Sequence, residues 1–263
     1  MLKNKLNDDL SPRIQQHITA RFSDEQVLSW SQQLRREGIV ILPELLPQSV
    51  HQSLYTAVID ALAVSSEDGR DGDREGQDAD AERSAKRVRE LPIVRALYEC
   101  QPLFTFVQRI TGVRLSPRQS GSGSIVVSHD EQPGDHTDWH WRSSSFELTF
   151  MLKAPSTNDG GMVQCVPHTH RDRGDERIYE NLIANQIRTY AVGTGETCLV
   201  KADTTLHRTV PLSGASTRIA LGLNWDRQHG LHVGFDSVAS SFMATHQRSA
   251  YPGSKGAGTD QFE

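Results

Sequence analysis

"LHRTVPLSGASTRIALGLNW", residues 206–225, reads as two short strands joined by a Ser-Gly-Ala-Ser turn. Along a strand, successive side chains alternate between two faces. In the second strand Arg218, Ala220, Gly222 and Asn224 share one face, and Ile219, Leu221, Leu223 and Trp225 share the other. The second set is wholly apolar and belongs against a core. The first is small apart from a guanidinium and an amide, which leaves room for a ligand cavity. The same period of two recurs upstream in "GSIVVSHD", "SFELTFMLKAP", "GGMVQCVP", "IRTYAVG" and "ETCLVKAD", each punctuated by Gly, Pro, Asn or Asp. Short strands at this spacing predict an antiparallel sandwich or barrel over residues 113–228.

Ahead of it the pattern is helical. "SDEQVLSWSQQLRRE" carries a Ser/Asp cap and an apolar face through Val27, Trp30 and Leu34. "GIVILPELLP" is a short strand ended by proline. "PQSVHQSLYTAVIDALA" and "LPIVRALYECQPLFTFVQRITG" restore helical spacing, so residues 23–112 form a helical flank. Within that flank, residues 65–87 are almost free of apolar side chains, mixed in charge and rich in Gly, and are expected as a mobile charged loop. The polar, Gly-rich residues 243–263 are expected as a flexible tail. The whole chain, 1–263, is expected as one domain.

The 263 residues carry a net charge of −5, which gives no footprint for nucleic acid. The N-terminus lacks the apolar run of a secretory signal, and no stretch is long and apolar enough to span a bilayer. A cytoplasmic protein with no membrane or nucleic-acid partner is expected, and a homodimer is open to it. Cys100, Cys165 and Cys198 are odd in number and widely spaced, which argues against a disulfide framework and for buried, idle thiols.

"GDHTDWHWRSSSF", residues 134–146, sets His136 and Asp138 one residue apart. On a strand both point to one face, so an imidazole and a carboxylate can converge. A second imidazole would complete a two-histidine-one-carboxylate face, the set that holds non-haem Fe(II) with positions left open. Alone, His-x-Asp is common surface polarity. His207, with Arg218 on the next strand, adds weight. Such a pair suits a metal-bound dicarboxylate, its keto-acid end on the metal and its far carboxylate in a guanidinium fork.

Taken together, "HTD", "SFELTFMLKAPSTNDGGMVQCVPHTH", "GETCLVKADTTLHRTVPL" and "STRIALGLNW" resemble the iron(II)- and 2-oxoglutarate-dependent oxygenase superfamily. The resemblance implies a mainly β fold with flanking helices, a double-stranded β-helix or distorted, cupin-like jelly roll. It implies Fe(II), 2-oxoglutarate and O2 as cofactor and co-substrates. Iron ligands by that resemblance are His136, Asp138 and His207, with Arg218 as the 2-oxoglutarate anchor; His170 takes a structural place. Within the superfamily the chain looks most like the small free-amino-acid hydroxylases related to the radical lysine halogenases. In those halogenases a small residue replaces the carboxylate ligand and opens a site for chloride. With Asp138 in that place, hydroxylation of a small polar metabolite, a free amino acid, is favoured over halogenation or desaturation, with release of succinate and CO2.

Substrate contacts are expected from His140 and Arg142, which continue the parity of His136 and Asp138, and from Asn224, beyond Arg218 on its face. His129 and Asp135 near the barrel mouth, and Arg70 and Arg74 in the charged loop, are further candidates. Trp139 and Trp141 are expected in packing, Asp203 in a turn, and Phe146, Leu148, Phe150 and Leu152 in the core. Glu147, on the opposite face of that strand, needs a cation if it is buried. Two rivals use the same residues differently: a cupin-like metal-dependent hydrolase or isomerase, and a jelly roll that binds a small ligand without turnover. The first leaves Arg218 without a role.

Overall fold

The structure, a computed structural model, describes residues 2–64, 74–118, 123–171 and 177–228. Residues through Gln228 gather into one compact unit; the tail from residue 229 lies outside the described set.

The helical flank forms as its spacing dictates. α2 (Asp24–Glu37) opens with a reciprocal capping box between Ser23 and Gln26 and closes on Gly38 in the left-handed region. α3 (Gln48–Ala63) buries Val50, Leu54, Val58 and Leu62. Cys100 breaks the next helical stretch into α5 (Pro92–Tyr98) and α6 (Gln101–Thr111), which is capped by Gly112. Two helices depart from expectation. α1 (Leu2–Arg21) is not readable in a polar N-terminus, yet buries Leu10, Ile14 and Ile18 at a spacing of four. The expected charged loop is helical from Arg74 onward, as α4 (Arg74–Glu90); residues 65–73 lie outside the described set. Arg, Glu, Gln, Ala and Lys are all good helix formers, so high charge does not preclude a helix. Among its described side chains α4 buries Ser84 and Val88, and Arg87 donates to the Ala61 carbonyl at 3.2 Å.

The β region is a double-stranded β-helix of two sheets. The larger runs β1 (Ile39–Leu42), β7 (Thr197–Val200), β4 (Phe146–Lys153), β9 (Arg218–Arg227), with β2 (Leu115–Pro117) and β3 (Ile125–Asp130) sharing the far edge of β9. All its pairings are antiparallel. The smaller sheet runs β6 (Arg188–Tyr190), β5 (Val163–Pro167), β8 (Thr205–Thr209). α7 (Ile178–Ala184) lies between β5 and β6 in the chain.

Alternation then assigns the faces. Ile219, Leu221, Leu223 and Trp225 from β9, with Phe146, Leu148, Phe150 and Leu152 from β4, are buried in the core shared with the helices. Tyr98 of α5 stacks on Trp225 at 5.8 Å between ring centroids. The other face of the same strands looks away from that core, and with the smaller sheet it encloses a cavity.

Candidate functional site

The cavity encloses about 600 Å³ including its mouth. From the larger sheet it takes Ser128, Glu147, Thr149, Met151, Cys198, Arg218, Ala220 and Gly222; from the smaller side come Thr137, His140, Val163, His207, Arg208 and Thr209. Glu147, Thr149 and Met151 alternate with the buried core face of β4. Arg218, Ala220 and Gly222 do the same on β9, as the alternation of residues 218–225 predicts.

Two histidines meet there. His140 lies opposite His207, each backbone N–H donating to the other's carbonyl at 3.0 Å. Facing residues of an antiparallel pair project to one side, and the rings stand 4.4 Å apart between centroids. Nδ1 of His140 lies 2.7 Å from the Asp138 carbonyl, and Nδ1 of His207 lies 2.8 Å from the Thr205 carbonyl. A carbonyl only accepts, so both Nδ1 atoms carry the proton and both Nε2 atoms hold lone pairs. Nε2 of His140 is buried and has no hydrogen-bond partner in the described structure. Burial pushes His140 below the usual histidine range, and burial with the neighbouring His140 pushes His207 down to about 4. Both rings are therefore neutral near pH 7. Neutral imidazoles with Nδ1–H anchored and Nε2 free are the ligand form for a divalent metal.

The expected set of His136, Asp138 and His207 is not assembled. His136 and Asp138 are exposed, pair with each other at 3.0 Å, and do not line the cavity. Hydrogen bonds to the Gly134 carbonyl and to Asp138 raise the His136 pKa. Among the described residues, no three His, Cys, Asp or Glu side chains form a group able to hold a metal ion. The reason is register. His140 pairs with His207, whereas Thr137 bonds to Thr209, its N–H to Oγ1 at 2.6 Å and its carbonyl from the Thr209 N–H at 3.2 Å. Three steps on one segment answer two on β8. The extra residue acts as a bulge and breaks the alternation, so Thr137 and His140 both reach the cavity while His136 and Asp138 do not.

Arg142 does line the cavity. Its Nε donates to Glu147 Oε2 at 2.8 Å, and Thr149 Oγ1 donates to Oε1 at 2.9 Å. That guanidinium is the cation a buried Glu147 requires. Burial alone would raise the Glu147 pKa; Arg142, His207 and the two hydrogen bonds outweigh it, and the carboxyl lies below its ordinary value. Arg218 is 4% exposed, bonds Asp130 through NH1 at 3.0 Å, and keeps a buried Nε without a partner.

The remaining candidates divide. Asn224 is buried but its Oδ1 accepts from Ser144 at 2.8 Å, and it does not line the cavity. His129 pairs with Glu131 at 2.6 Å, and Asp135 accepts from the N–H groups of Glu131 and Gln132, closing a turn. None of these three lines the cavity. Arg74 opens α4 with its side chain outside the described set, as is Arg70. Trp141 packs on Val166 and Leu206 and donates to Thr169, and Trp139 lies 5.0 Å under the Arg208 guanidinium, both in packing roles. All three cysteines are free and buried, and burial raises the Cys198 thiol beside the cavity, leaving it protonated. Ser128 and Thr137 are cavity residues that sequence reasoning misses, and nothing in the sequence marks Thr137; Thr149 lies on the face of β4 that parity sets opposite the core, with Glu147 and Met151.

Comparison with known proteins places this geometry. Residues 22–241 match the family described as Halogenase D. AviO1 from Streptomyces viridochromogenes Tue57 is similar in structure at a TM-score of 0.57 and 13% identity, over 78% of this chain and 96% of that one. The non-haem alpha-ketoglutarate-dependent carbocyclase SnoK from nogalamycin biosynthesis gives 0.57 and 16%, over 84% and 91%. A Trichoplax adhaerens prolyl hydroxylase gives 0.52 and 13%, over 78% and 90%. At such identities the likeness is one of fold. No curated protein matches the sequence. Among the described residues, no helix is long and apolar enough to cross a membrane.

Proposed function

Because the chain belongs to the Halogenase D family, within the iron- and 2-oxoglutarate-dependent oxygenases, and holds two neutral imidazoles in one cavity with a buried arginine, we propose a C–H-oxidising enzyme. Its substrate is a small polar metabolite, a free amino acid in the first instance. The observation that carries this is the His140–His207 pair, with the His140 Nε2 buried and unpartnered.

The side chains fit the cofactors. His140 and His207 would hold Fe(II), replacing His136 and Asp138 in that role, and Arg218 would hold the distal carboxylate of 2-oxoglutarate. Bound there, ferrous ion and keto acid supply the oxidising power, O2 and 2-oxoglutarate giving succinate and CO2 as the substrate C–H bond is oxidised. The protein's part is placement. Carbonyls at Asp138 and Thr205 fix the two rings, Asp130 steadies Arg218, and Met151, Val163, Val192 and Val200 form an apolar wall that limits water.

Hydroxyl transfer is the first reading, carried over from the sequence pattern of residues 136–138. Halide transfer is a second reading favoured by one observation: Arg142, not a carboxylate, stands two residues after His140, and Asp138 is exposed. Anaerobic addition of Fe(II) and 2-oxoglutarate should give the visible charge-transfer band of a chelated keto acid, followed in air by succinate release. Amino acids that stimulate succinate formation, with product mass measured in chloride, then separate hydroxyl from halide. No band and no succinate would sink the oxygenase reading and leave the hydrolase or the non-catalytic jelly roll.

A further inference from the structure

Among the described residues, Arg142 and Glu147 form the one guanidinium–carboxylate pair in which both partners line the cavity. Their contact uses a single donor of the guanidinium. Nε donates to Glu147 Oε2 at 2.8 Å, and neither Nη bonds to a described residue. The Arg142 side chain is 30% exposed against 11% for Glu147, so the guanidinium is the more open of the two. Its Nη1–Nη2 edge is a fork that can hold a carboxylate by two parallel bonds. Glu147 is likewise half used. Oε2 accepts from Arg142 and Oε1 from Thr149 at 2.9 Å, which fills two of the roughly four acceptor positions of a carboxylate. Its seat is fixed: a Cβ on Gly222 would lie 2.9 Å from Oε1, so the carboxylate packs there against β9 because residue 222 has no side chain. Side by side, the pair offers a donor fork at one end and acceptor lone pairs at the other. A ligand of single charge suits neither end. A lone carboxylate on Arg142 meets the charge of Glu147, and a lone ammonium on Glu147 meets that of Arg142; such like-charge approaches are costly in a mostly buried site. A ligand carrying both charges on neighbouring atoms escapes both penalties.

We propose that the Arg142–Glu147 pair selects the substrate by its head group: the Arg142 fork takes the α-carboxylate and Glu147 the α-ammonium, so α-amino acids are admitted while the matching amines and deaminated acids are refused. The inference rests on the free-amino-acid reading above and deepens it by naming the two side chains that read the zwitterion. It also divides the arginines by task. Arg218, paired with Asp130, is left for the keto acid, and Arg142 serves the substrate. No covalent bond changes, and neither a metal nor turnover enters the recognition step.

The test reads binding to the full chain. Melting temperature is measured with each standard L-amino acid at millimolar concentration, both alone and with Zn2+ and 2-oxoglutarate, a mixture that cannot turn over. The amino acid that raises it most is then compared, by calorimetric titration, with its decarboxylated amine and its deaminated acid. Both analogues should bind the wild type about tenfold more weakly or worse, the worth of one charge-assisted hydrogen bond. Arg142→Lys keeps the charge but loses the fork, and should weaken the amino acid by about tenfold. Glu147→Gln should weaken the amino acid and strengthen the deaminated acid, so their affinity ratio falls by about tenfold or more; a pair that only stabilised the fold would move both alike. No stabilisation by any amino acid, analogues that bind as tightly as the amino acid, or an unchanged ratio in Glu147→Gln each overturns the proposal. Should Glu147→Gln fail to fold, the wild-type comparison of the three ligands decides. Selective amino-acid binding with no succinate in air would sink the oxygenase reading and leave the pair its role, whereas succinate release without that selectivity would do the reverse.

Discussion

Arg142→Met removes the guanidinium while keeping most of the side-chain bulk, and its consequence for metal-free protein can be worked through. Glu147 is buried, with Arg142 as its ion-pair partner at 2.8 Å. Removing one partner of a buried pair costs about 3–5 kcal/mol, because the other charge stays behind. The Arg142 side chain is 30% exposed, and water screens part of the pair, so about 2–4 kcal/mol is expected. The pH dependence is the sharper signature. In the wild type the Glu147 carboxyl lies below its ordinary value of 4.5, despite burial, because Arg142, His207 and two hydrogen bonds hold it there. Its contribution is thus fully present above 4.5 and lost as pH falls through the folded value. Without Arg142, burial dominates and the folded value rises above 4.5. The sign reverses: stability declines as pH climbs from 4.5 through the raised value.

Urea unfolding in chelator, from pH 4 to 7.5, should show the gap between the two proteins narrowing toward the acid end. The gap should open to about 2–4 kcal/mol at neutrality, where the carboxylate is left charged and without its cation. His207, pushed down to about 4 by burial, destabilises both proteins on acidification and largely cancels in the difference. Adding Glu147→Gln to Arg142→Met should restore most of the loss. A gap independent of pH, a loss below about 0.5 kcal/mol, or two additive single losses would refute the ion-pair account.

Gly222→Ala places a methyl against Glu147 Oε1 and its bond from Thr149; the atom met is the end of a side chain, so stability should fall by only about 1 kcal/mol. Thermal melts check it. Arg218→Ala should raise the KM for 2-oxoglutarate by about 10–100-fold, the worth of charge-assisted hydrogen bonds, and an unchanged KM would remove Arg218 as the anchor. Ser23→Ala removes half of the capping box on α2 and should cost about 1 kcal/mol in urea unfolding.

The contrast between β9 and residues 134–142 shows where the sequence stops being informative. On β9, pairing is continuous with β3 from Arg218 through Leu223 on one side and with β4 from Ala220 through Trp225 on the other. Alternation counted from one apolar residue therefore places every other side chain, and Arg218 falls on the cavity face as parity requires. A one-residue error there would bury Arg218 in the apolar core and expose Leu221, so the strand has no second choice. The smaller sheet has no such constraint near its edge. His136, Asp138 and His140 share one parity in sequence, and polar side chains meet no comparable penalty for facing water. Which of them enters the cavity is settled by Thr137 bonding Thr209, a contact between residues 72 positions apart. α4 is illegible for a related reason, since its run of charged residues lets composition outweigh pattern. Glu147 sits between these cases. Its place opposite the core follows from β4 parity and its need of a cation from electrostatics, but naming Arg142 as that cation requires the same register that parity alone misplaces.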